Sequence, residues 1–430
     1  MKKLMIFGLL LLTTPWMMAQ DEEFTQQMSI TLDDAINYAF KQNRSLQNAS
    51  LEVKKAHAQR WQTIASMLPQ ADGNAQYTNM CGYEMNFSGM KMAMPPYIQH
   101  SVSASIAING QLIVGALLNN LAIEMQDITR QQSEANLRAN VIQSYLSILV
   151  MQEVVALMDS DLVNLNQMAQ HTQNMVDVGA AEQTDADKIM VQVNSFRNTV
   201  RSYERNLRLS YDALRVLLDV GGDTQLILLD PIENQLSADK AGEVLMQDFD
   251  INRNYNYQLL EKNVDLAKKN VILAGMAYLP TLSAAYQFTS KKYFSDEATF
   301  NMQPPHTVVA TVSIPLWSSG KRAAAITEKK IALQEAENTF SETADNLNIQ
   351  LRQLRFNLSN AYETFITEQE NIAVNQRIFE KMTNKYEWGA ASSLELTQAS
   401  NDLISAEMSY TNAALSLINA QVELEKFLNN

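Results

Sequence analysis

Soft sulfur ligands are concentrated in one short segment of this 430-residue chain. Five methionines surround the only cysteine, Cys81, and they are Met80, Met85, Met90, Met92 and Met94. Thioethers and a thiolate suit Cu(I). The whole chain contains 22 methionines, however, and soft ligands alone do not define a coordination geometry. Metal binding by this segment stays an open alternative. Our prediction is that the protein has no metal site and no cofactor.

Other residue types that could do chemistry are dispersed. The four histidines, His57, His100, His171 and His306, fall on different predicted elements. The sequence has no His-Cys-carboxylate cluster and no phosphate-binding loop. The formal net charge of −14 argues against a nucleic-acid partner. We therefore expect a protein that is not an enzyme and does not bind nucleic acid.

The first residues indicate export. Lys2 and Lys3 precede an apolar run, and the small residue Ala19 offers a cleavage site, so residues 1–19 are predicted to be a signal peptide. We expect no later apolar run to approach the roughly 18 residues of a membrane helix. Membrane contact is therefore expected from β-strands.

Helix breakers are absent from two long stretches. Between Gly115 and Gly221 the chain has no proline and a single glycine, Gly179. From Gly320 to the last residue it again has no proline and a single glycine, Gly389. Such stretches predict two helical hairpins, at 116–218 and 321–430. At 1.5 Å per residue, the longer arm of each would be a rod about 100 Å long.

An internal repeat with an offset of about 210 residues organises the chain. Leu68-Pro69 matches Leu279-Pro280, and the segment around Gly179 matches the segment around Gly389. The predicted divisions are a first repeat at 20–218, a connecting equatorial segment at 219–254 and a second repeat at 255–430. Each repeat contains a short helix, two strands and one long hairpin. The strands are predicted at about 70–80, 99–110, 281–292 and 306–316.

The predicted strands alternate in polarity. Ala71, Ala75 and Tyr77 lie on one face of the first strand, whereas Asp72 and Asn74 lie on the other. Apolar-out and polar-in strands of about ten residues are typical of a membrane β-barrel with a wet lumen. Four strands cannot close a barrel, since closed membrane barrels begin at about eight. Two copies would leave a lumen filled by side chains, so we expect three copies and twelve strands.

The helices carry apolar seams at heptad spacing, such as Leu347, Leu351, Leu354 and Leu358. A short helix together with a return helix is nearly as long as one long helix. We therefore expect the two to stack end to end, so that each subunit contributes four columns to a tube. The predicted fold is an α+β membrane protein, with long α-helical hairpins in a trimeric α-barrel capped by a β-barrel of four strands per subunit.

These residues resemble the TolC-like outer membrane efflux proteins (outer membrane factors). The resemblance rests on the segment Ser29–Ala35, on Asn43-Arg44-Ser45-Leu46, on Leu68-Pro69 before a strand and on Ile314-Pro315-Leu316-Trp317. It covers essentially the whole mature chain. It implies a homotrimer in outer-membrane lipid whose helical tube crosses the periplasm. It also implies a periplasmic adaptor protein and an inner-membrane pump as partners, and export of small molecules as the function.

The resemblance also assigns candidate site residues. The hairpin tips would dock onto the adaptor through Val178, Gly179, Ala180, Ala181, Thr184 and Asp185, and through Trp388, Gly389, Ala390, Ala391, Ser392 and Glu395. Apart from the resemblance, charged residues near the same end could form ion pairs that hold the tube shut, and the candidates for this periplasmic gate are Asp177, Lys381, Lys385, Tyr386 and Glu387. Helix turning alone would explain the two glycines, and a solvated helix face would explain any one of the charges.

Two alternatives stay open from the sequence. The same tube could be the exit duct of type I protein secretion, because substrate choice in the family lies mostly in the pump. A surface coiled-coil protein is also conceivable, but it would predict neither the alternating strands nor their duplication. Catalytic residues are not expected in any of these readings.

Overall fold

The structure is a computed structural model of one subunit. It describes residues 27–87, 90–93, 95–232, 236, 238–294 and 304–428. The predicted signal peptide and Met94 lie outside the described residues. In chain order the elements are β1 (Gln27–Ile30), α1 (Leu32–Gln42), α2 (Arg44–Ala65), β2 (Gln70–Thr78), β3 (Glu84–Phe87), β4 (Met90–Ala93), β5 (Tyr97–Ile108), α3 (Gly110–Asp177), α4 (Gln183–Leu218), β6 (Gln225–Leu228), α5 (Ala238–Met246), α6 (Tyr255–Gly275), β7 (Thr281–Tyr293), β8 (His306–Ser313), α7 (Lys321–Glu387) and α8 (Ser393–Leu428).

Two hairpins of unequal arms dominate the subunit. Their long arms are α3, with 68 residues, and α7, with 67 residues. Each is about 100 Å long at the standard helical rise. The return helices α4 and α8 have 36 residues each. The structure is therefore mostly helical with some sheet, as the sequence predicts.

The first long helix begins earlier than expected. The sequence analysis starts it at residue 116, directly after Gly115, whereas α3 begins at Gly110. The Asn109 side chain caps the helix, because its Oδ1 accepts a hydrogen bond from Leu112 N at 2.9 Å. A glycine inside a helix costs only about 1 kcal/mol, which a helix of this length tolerates. Gly115 is therefore not a boundary.

The helices pack as four parallel columns. α3 contacts α2 and α4 on one side and α6 and α8 on the other, and α7 packs against α6 and α8. The α7 seam toward α8 is buried at heptad spacing through Leu351, Leu358, Phe365, Ile372, Phe379 and Tyr386. The column order is therefore α2 with α4, then α3, then α6 with α8, then α7. The α2/α4 column and α7 form the two lateral edges of the subunit.

Each composite column is joined by one buried asparagine. Asn43 precedes α2, and its Oδ1 accepts from the backbone N–H groups of Ser45 and Leu46. Its Nδ2 donates to the carbonyl of Leu217, near the end of α4, at 2.9 Å. One side chain thus caps the start of one helix and the end of another. The predicted end-to-end stacking has a specific chemical basis here.

The second repeat uses the same device. Asn254 precedes α6, and its Oδ1 accepts from the backbone of Asn256 and Tyr257. Its Nδ2 donates to the carbonyl of Phe427 at 3.4 Å, one residue before the end of α8. Both asparagines are at most 8% exposed. We call these two contacts the column joints.

The largest sheet joins strands from both repeats. It is antiparallel, with strand order β2-β5-β7-β8. The register aligns Ala71, Ala104, Tyr286 and Val308 in one row across the sheet. The next row contains Asp72, Ser103, Gln287 and Thr307. The alternation seen in single strands therefore continues across the sheet, which has an apolar face and a polar face.

A smaller layer lies beside the helices and consists of β1, α1, β6 and α5. We call it the equatorial layer. The sequence analysis places the connecting segment at 219–254, but β6 in this segment pairs in parallel with β1, before the first helix. Tyr145 of α3 anchors the layer, because its Oη lies 2.6 Å from Asp230 Oδ2 and accepts from Leu229 N. Burial, followed by the hydrogen bond with Asp230, raises the pKa of Tyr145.

One expectation about apolar runs is wrong. Within the described residues, α3 contains an 18-residue stretch with a mean hydropathy of 1.6, and 44% of that stretch is buried. The packing explains this composition, because α3 is the only long helix with a composite column on each side. Length and composition alone do not distinguish such a core helix from a membrane helix, so this stretch is weak evidence for a span.

Candidate functional site

The tip of the first hairpin is a Schellman turn. Gly179 has a φ of +75°, in the left-handed region that favours glycine. Its N–H donates to the Val176 carbonyl at 2.9 Å, and the N–H of Ala180 donates to the Met175 carbonyl at 2.8 Å. These two bonds satisfy carbonyls that the end of α3 would otherwise leave without partners.

The tip of the second hairpin has the same backbone. Gly389 has a φ of +69°. Its N–H donates to the Tyr386 carbonyl at 3.0 Å, and the N–H of Ala390 donates to the Lys385 carbonyl at 2.8 Å. The two tips therefore end their long helices by one mechanism, which accounts for both glycines.

The return helices begin differently after these turns. Ser392 and Glu395 form a capping box before α8: the Ser392 hydroxyl accepts from Glu395 N at 3.2 Å, and Glu395 Oε2 accepts from Ser392 N at 2.8 Å. The backbone and hydroxyl of Ser392 lower the pKa of Glu395. In α4 the corresponding residue, Glu182, makes no capping hydrogen bond with its side chain. The spacing Ser-x-x-Glu in the sequence could have predicted this difference.

Side-chain contacts hold the two tips together. The Ser393 hydroxyl donates to Asp185 Oδ1, and Lys188 Nζ lies 3.4 Å from the same oxygen. The hydrogen bond from Ser393, followed by Lys188, lowers the pKa of Asp185. About two turns further along, Gln192 Nε2 donates to Asn401 Oδ1 at 2.9 Å. Asp185 was predicted as a docking residue, and within the subunit it links α4 to α8.

Apolar side chains are exposed at the tips. Trp388 is 86% exposed and Val178 is 79% exposed. Leu394, which the sequence analysis did not select, is 69% exposed in the first turn of α8. The other predicted tip residues are divided: Gly179, Ala180, Thr184, Gly389, Ala390, Ser392 and Glu395 are exposed, whereas Ala181, Asp185 and Ala391 are half-buried. The second tip therefore presents the larger apolar surface.

The gate candidates separate into two groups. Asp177, Lys381, Lys385 and Glu387 are exposed, and no ion pair joins them in the described part of the subunit. Asp177 instead accepts a hydrogen bond from Gln173 Nε2 at 3.0 Å.

Tyr386 is 8% exposed, and its hydroxyl lies 3.0 Å from that of Thr172 on α3. Tyr386 is thus a contact between long helices that presents little surface to a pore. The role of Tyr386 in a periplasmic gate stays a prediction.

The methionine-rich segment gives no further indication of a metal site. Cys81 is exposed at a turn, with a φ of +50°, and Met80 is 37% exposed. In the residues that the structure describes, no three His, Cys, Asp or Glu side chains are grouped so that they could hold a metal ion. Met94 lies outside those residues.

Comparisons with known proteins agree with this architecture. A family model described as "Outer membrane efflux protein" matches residues 251–430. "Cation efflux system protein CusC" of Escherichia coli O157:H7 is 22% identical over 386 residues, covering 86% of this chain and 79% of that protein. "Outer membrane protein TolC" of Salmonella enteritidis is 22% identical over 375 residues, covering 84% and 74%. A crystal structure of CusC has a TM-score of 0.74 at 17% identity, covering 92% and 91%.

Paired long hairpins with a strand segment in each repeat define the fold of an outer membrane channel. Residues 251–430 match the outer membrane efflux protein family, and the relatives and solved structures extend this similarity over most of the chain. Members of this family are transport proteins rather than enzymes. The protein is therefore located in the outer membrane and extends into the periplasm.

Proposed function

We propose that three copies of this chain assemble into one continuous tunnel that exports small molecules. Twelve strands, four from each copy, would cross the outer membrane, and twelve helical columns would form a tube across the periplasm. The observation that carries this proposal is that the single subunit has unpartnered edges. They are the two outer strands of the sheet and the two outer columns of helices.

The sheet edges need partners. β2 and β8 are the outer strands of the four-stranded sheet. Side chains on the apolar face are exposed in the single subunit, including Val308 at 78% and Val312 at 61%. Lipid can cover this face but cannot satisfy open backbone N–H and C=O groups. Pairing of β8 from one copy with β2 of the next would close the barrel and remove the edges.

An unpartnered apolar stripe follows α7 on the side opposite its buried seam. At 100° per residue, Ile331, Ile349, Phe356, Val374 and Ile378 fall within about 20° of one line along the helix. Each is at least 41% exposed, and Phe356 is 66% exposed. A straight stripe of this length on an edge column is typical of a helix that packs against another subunit.

The opposite edge of the subunit has matching character. Val191, Leu209 and Val216 form a line on α4, and they are 69%, 64% and 75% exposed. Leu51 and Trp61 of α2 add apolar surface to the same column, at 55% and 63% exposure. Contact between α7 of one copy and the α2/α4 column of the next would cover both stripes and continue the tube.

The assembly can be tested with two charge insertions on one helix. Phe356→Arg places a charge in the α7 stripe, whereas Asn357→Arg places it about 100° further around the helix, on the side facing the groove with α8. We expect the wild type and Asn357→Arg to purify in detergent with the mass of a trimer, and Phe356→Arg to dissociate. A monodisperse wild-type monomer, or a trimeric Phe356→Arg, would contradict the proposal.

We further propose that the tips dock onto a periplasmic adaptor that is itself coupled to an inner-membrane pump. Support comes from the exposed apolar residues at the end of the tube far from the sheet and from the similarity to this family. Changing both Ala180 and Ala390 to leucine or arginine should block docking without loss of the trimer. The readout is resistance to a toxic compound in cells that depend on this channel.

The matched control for docking is Ala323→Leu, at an exposed position in the first turn of α7 near the sheet and outside the α7 stripe. It should keep full resistance. Wild-type resistance in the double tip variant would remove the docking proposal and leave the trimer proposal intact. In this proposal the pump selects the substrate. The name of CusC as a cation efflux protein therefore does not identify the substrate of this chain.

The charged residues at the tips are proposed to narrow the pore through contacts between copies. Exposed ion pairs are worth about 0 to 1 kcal/mol each, but three symmetry copies would act together. We expect a small, cation-selective conductance in planar bilayers that rises when Lys381 and Lys385 are both changed to alanine. Changing Lys329 and Lys330, at the other end of α7, is the control. An unchanged conductance in the first variant would locate the constriction elsewhere.

A further inference from the structure

A carboxyl group occupies the core of the helical bundle. Glu407 of α8 lies between the buried residues Leu403 and Tyr410 of the apolar seam and is itself 0% exposed. Its carboxyl group lies beside the carboxyl group of Asp161 on α3. The pair therefore joins the long helix of the first hairpin to the return helix of the second.

The chemistry of this contact requires a proton. Neither carboxylate oxygen of Glu407 receives a hydrogen bond from an N–H or O–H donor of the described residues. Two ionised carboxylates have no hydrogen to share, so a bond between them exists only when one of them is protonated. Leaving a charged carboxylate buried without a donor would cost far more than binding a proton from solvent.

The surroundings favour the protonated form. Burial, and then the adjacent charge of Asp161, raises the pKa of Glu407 to about 9. Burial also raises the pKa of Asp161, and the amide of Asn164 opposes that effect by hydrogen bonding to the Asp161 carboxylate. Tyr203 faces the pair from α4, and burial raises its pKa too.

A cavity gives the Asp161 side of the pair access to solvent. Its volume is about 420 Å³, and it lies between α3 and α7 beside Asp161. Glu380 of α7 lines it, together with polar groups such as Ser160 and Thr383. The lining residues include no lysine or arginine in the part of the chain that the structure describes. No positive side chain is therefore placed there to replace the proton, whereas water can deliver one.

We propose that Asp161 and Glu407 form a proton-binding site that clasps α3 of the first hairpin to α8 of the second. With the proton bound, the two carboxyl groups share one hydrogen bond across the helix contact. Loss of the proton leaves two negative charges facing each other in the core, and α3 and α8 are driven apart. The contact between the hairpins thus depends on protonation, whatever the tunnel carries.

The sign of the pH dependence follows from the raised pKa. The carboxyl group of Glu407 has its ordinary pKa of 4.5 in the unfolded chain and about 9 in the folded one. Its contribution to stability is complete below about pH 4.5 and is lost as the pH rises through about 9. Between these values the folded protein holds one extra proton, so the folding equilibrium constant falls about tenfold per pH unit.

Glu407→Gln tests the site, because the amide keeps the shape and can donate a hydrogen bond to Asp161 without titrating. The control is Asp402→Asn, which removes an exposed carboxylate from the same helix. Thermal unfolding of the full chain in detergent is followed from about pH 5 to pH 9. We expect a steep fall in stability with pH for the wild type and Asp402→Asn, and a shallower fall for Glu407→Gln.

Infrared spectroscopy supplies a direct second readout. The carbonyl stretch of a protonated carboxylic acid is resolved from that of carboxylate. We expect one such band in the wild type at neutral pH and its loss in Glu407→Gln. Asp161→Asn provides the same test if Glu407→Gln does not fold, since the new amide can donate to Glu407 and removes the need for a shared proton. A variant that keeps both the band and the wild-type pH profile would overturn the proposal.

Discussion

The two hairpins of this protein share a backbone and differ in their surfaces. Both long helices end in the same Schellman turn around a glycine, and both composite columns are joined by an asparagine. The side chains beside those turns differ: Val178 in the first tip corresponds to Trp388 in the second, and only the second return helix begins with a capping box.

This comparison separates two kinds of constraint. Residues that set the path of the chain are the same in both repeats, because a left-handed turn and a buried helix junction each admit few side chains. Residues that face solvent are under no such geometric restriction: Val178 and Trp388 differ, although Ala180 and Ala390 are the same. The repeat therefore defines the path of the chain, and the differences between repeats indicate where the two tips contact their surroundings unequally.

The largest effect is expected when both column joints are removed. Changing Asn43 and Asn254 to alanine removes two helix caps and two buried hydrogen bonds, which we estimate at about 2 kcal/mol per joint. The joints share no partner, so the double variant should lose about 4 kcal/mol. Unfolding in urea measures this loss.

Asparagine-to-serine changes at the same positions are the matched control for the joints. Serine keeps the capping oxygen but cannot reach the second helix, so each change should lose about half as much. No loss for the serine variants would show that the bridge to Leu217 or Phe427 contributes nothing. A large loss of stability in only one repeat would show that the two joints do not contribute equally.

The glycine turns should behave alike. Gly179→Ala and Gly389→Ala each force a Cβ into the left-handed region, at a cost of about 1 kcal/mol. Gly242→Ala, in helix α5, is the control, since a Cβ there meets no atom within 4 Å. It should be neutral or slightly stabilising. Thermal unfolding of the three variants decides whether the two tips are energetically the same.

The capping box should distinguish the tips. Ser392→Ala removes the side-chain cap of α8 and is expected to cost about 1 kcal/mol. Glu182→Ser at the corresponding position of α4 is expected to stabilise the protein by a similar or smaller amount. Hydrogen exchange of the first helical turns would measure both effects locally. Equal exchange at the two wild-type tips would contradict the difference in capping.

The smallest effect on stability is expected at the exposed tip residues. Trp388→Ala and Val178→Ala should each change the free energy of unfolding by less than about 0.5 kcal/mol, since neither side chain is packed. Their effects on resistance in cells should differ, with the larger loss for Trp388→Ala because a buried tryptophan contributes more to an interface than valine. Equal losses would mean that the two tips dock equivalently.

Much of the architecture can be predicted from local sequence. Long stretches without Gly or Pro predict the hairpins, since only those residues break a helix reliably, and Gly179 and Gly389 lie at the observed turns. Period-two alternation predicts the strands around Asp72 and Val308, and the observed register extends that alternation across the sheet. Patterns of this kind depend on neighbours along the chain, so one sequence is enough to read them.

The tertiary structure alone decided the features that join distant segments. The pairing of β1 with β6 depends on Tyr145 and Asp230. Glu407 reads in the sequence as a solvated charge, because its burial follows only from the packing of three other helices around α8. Burial and proton sharing are properties of a site assembled in space, which no periodicity along the chain records.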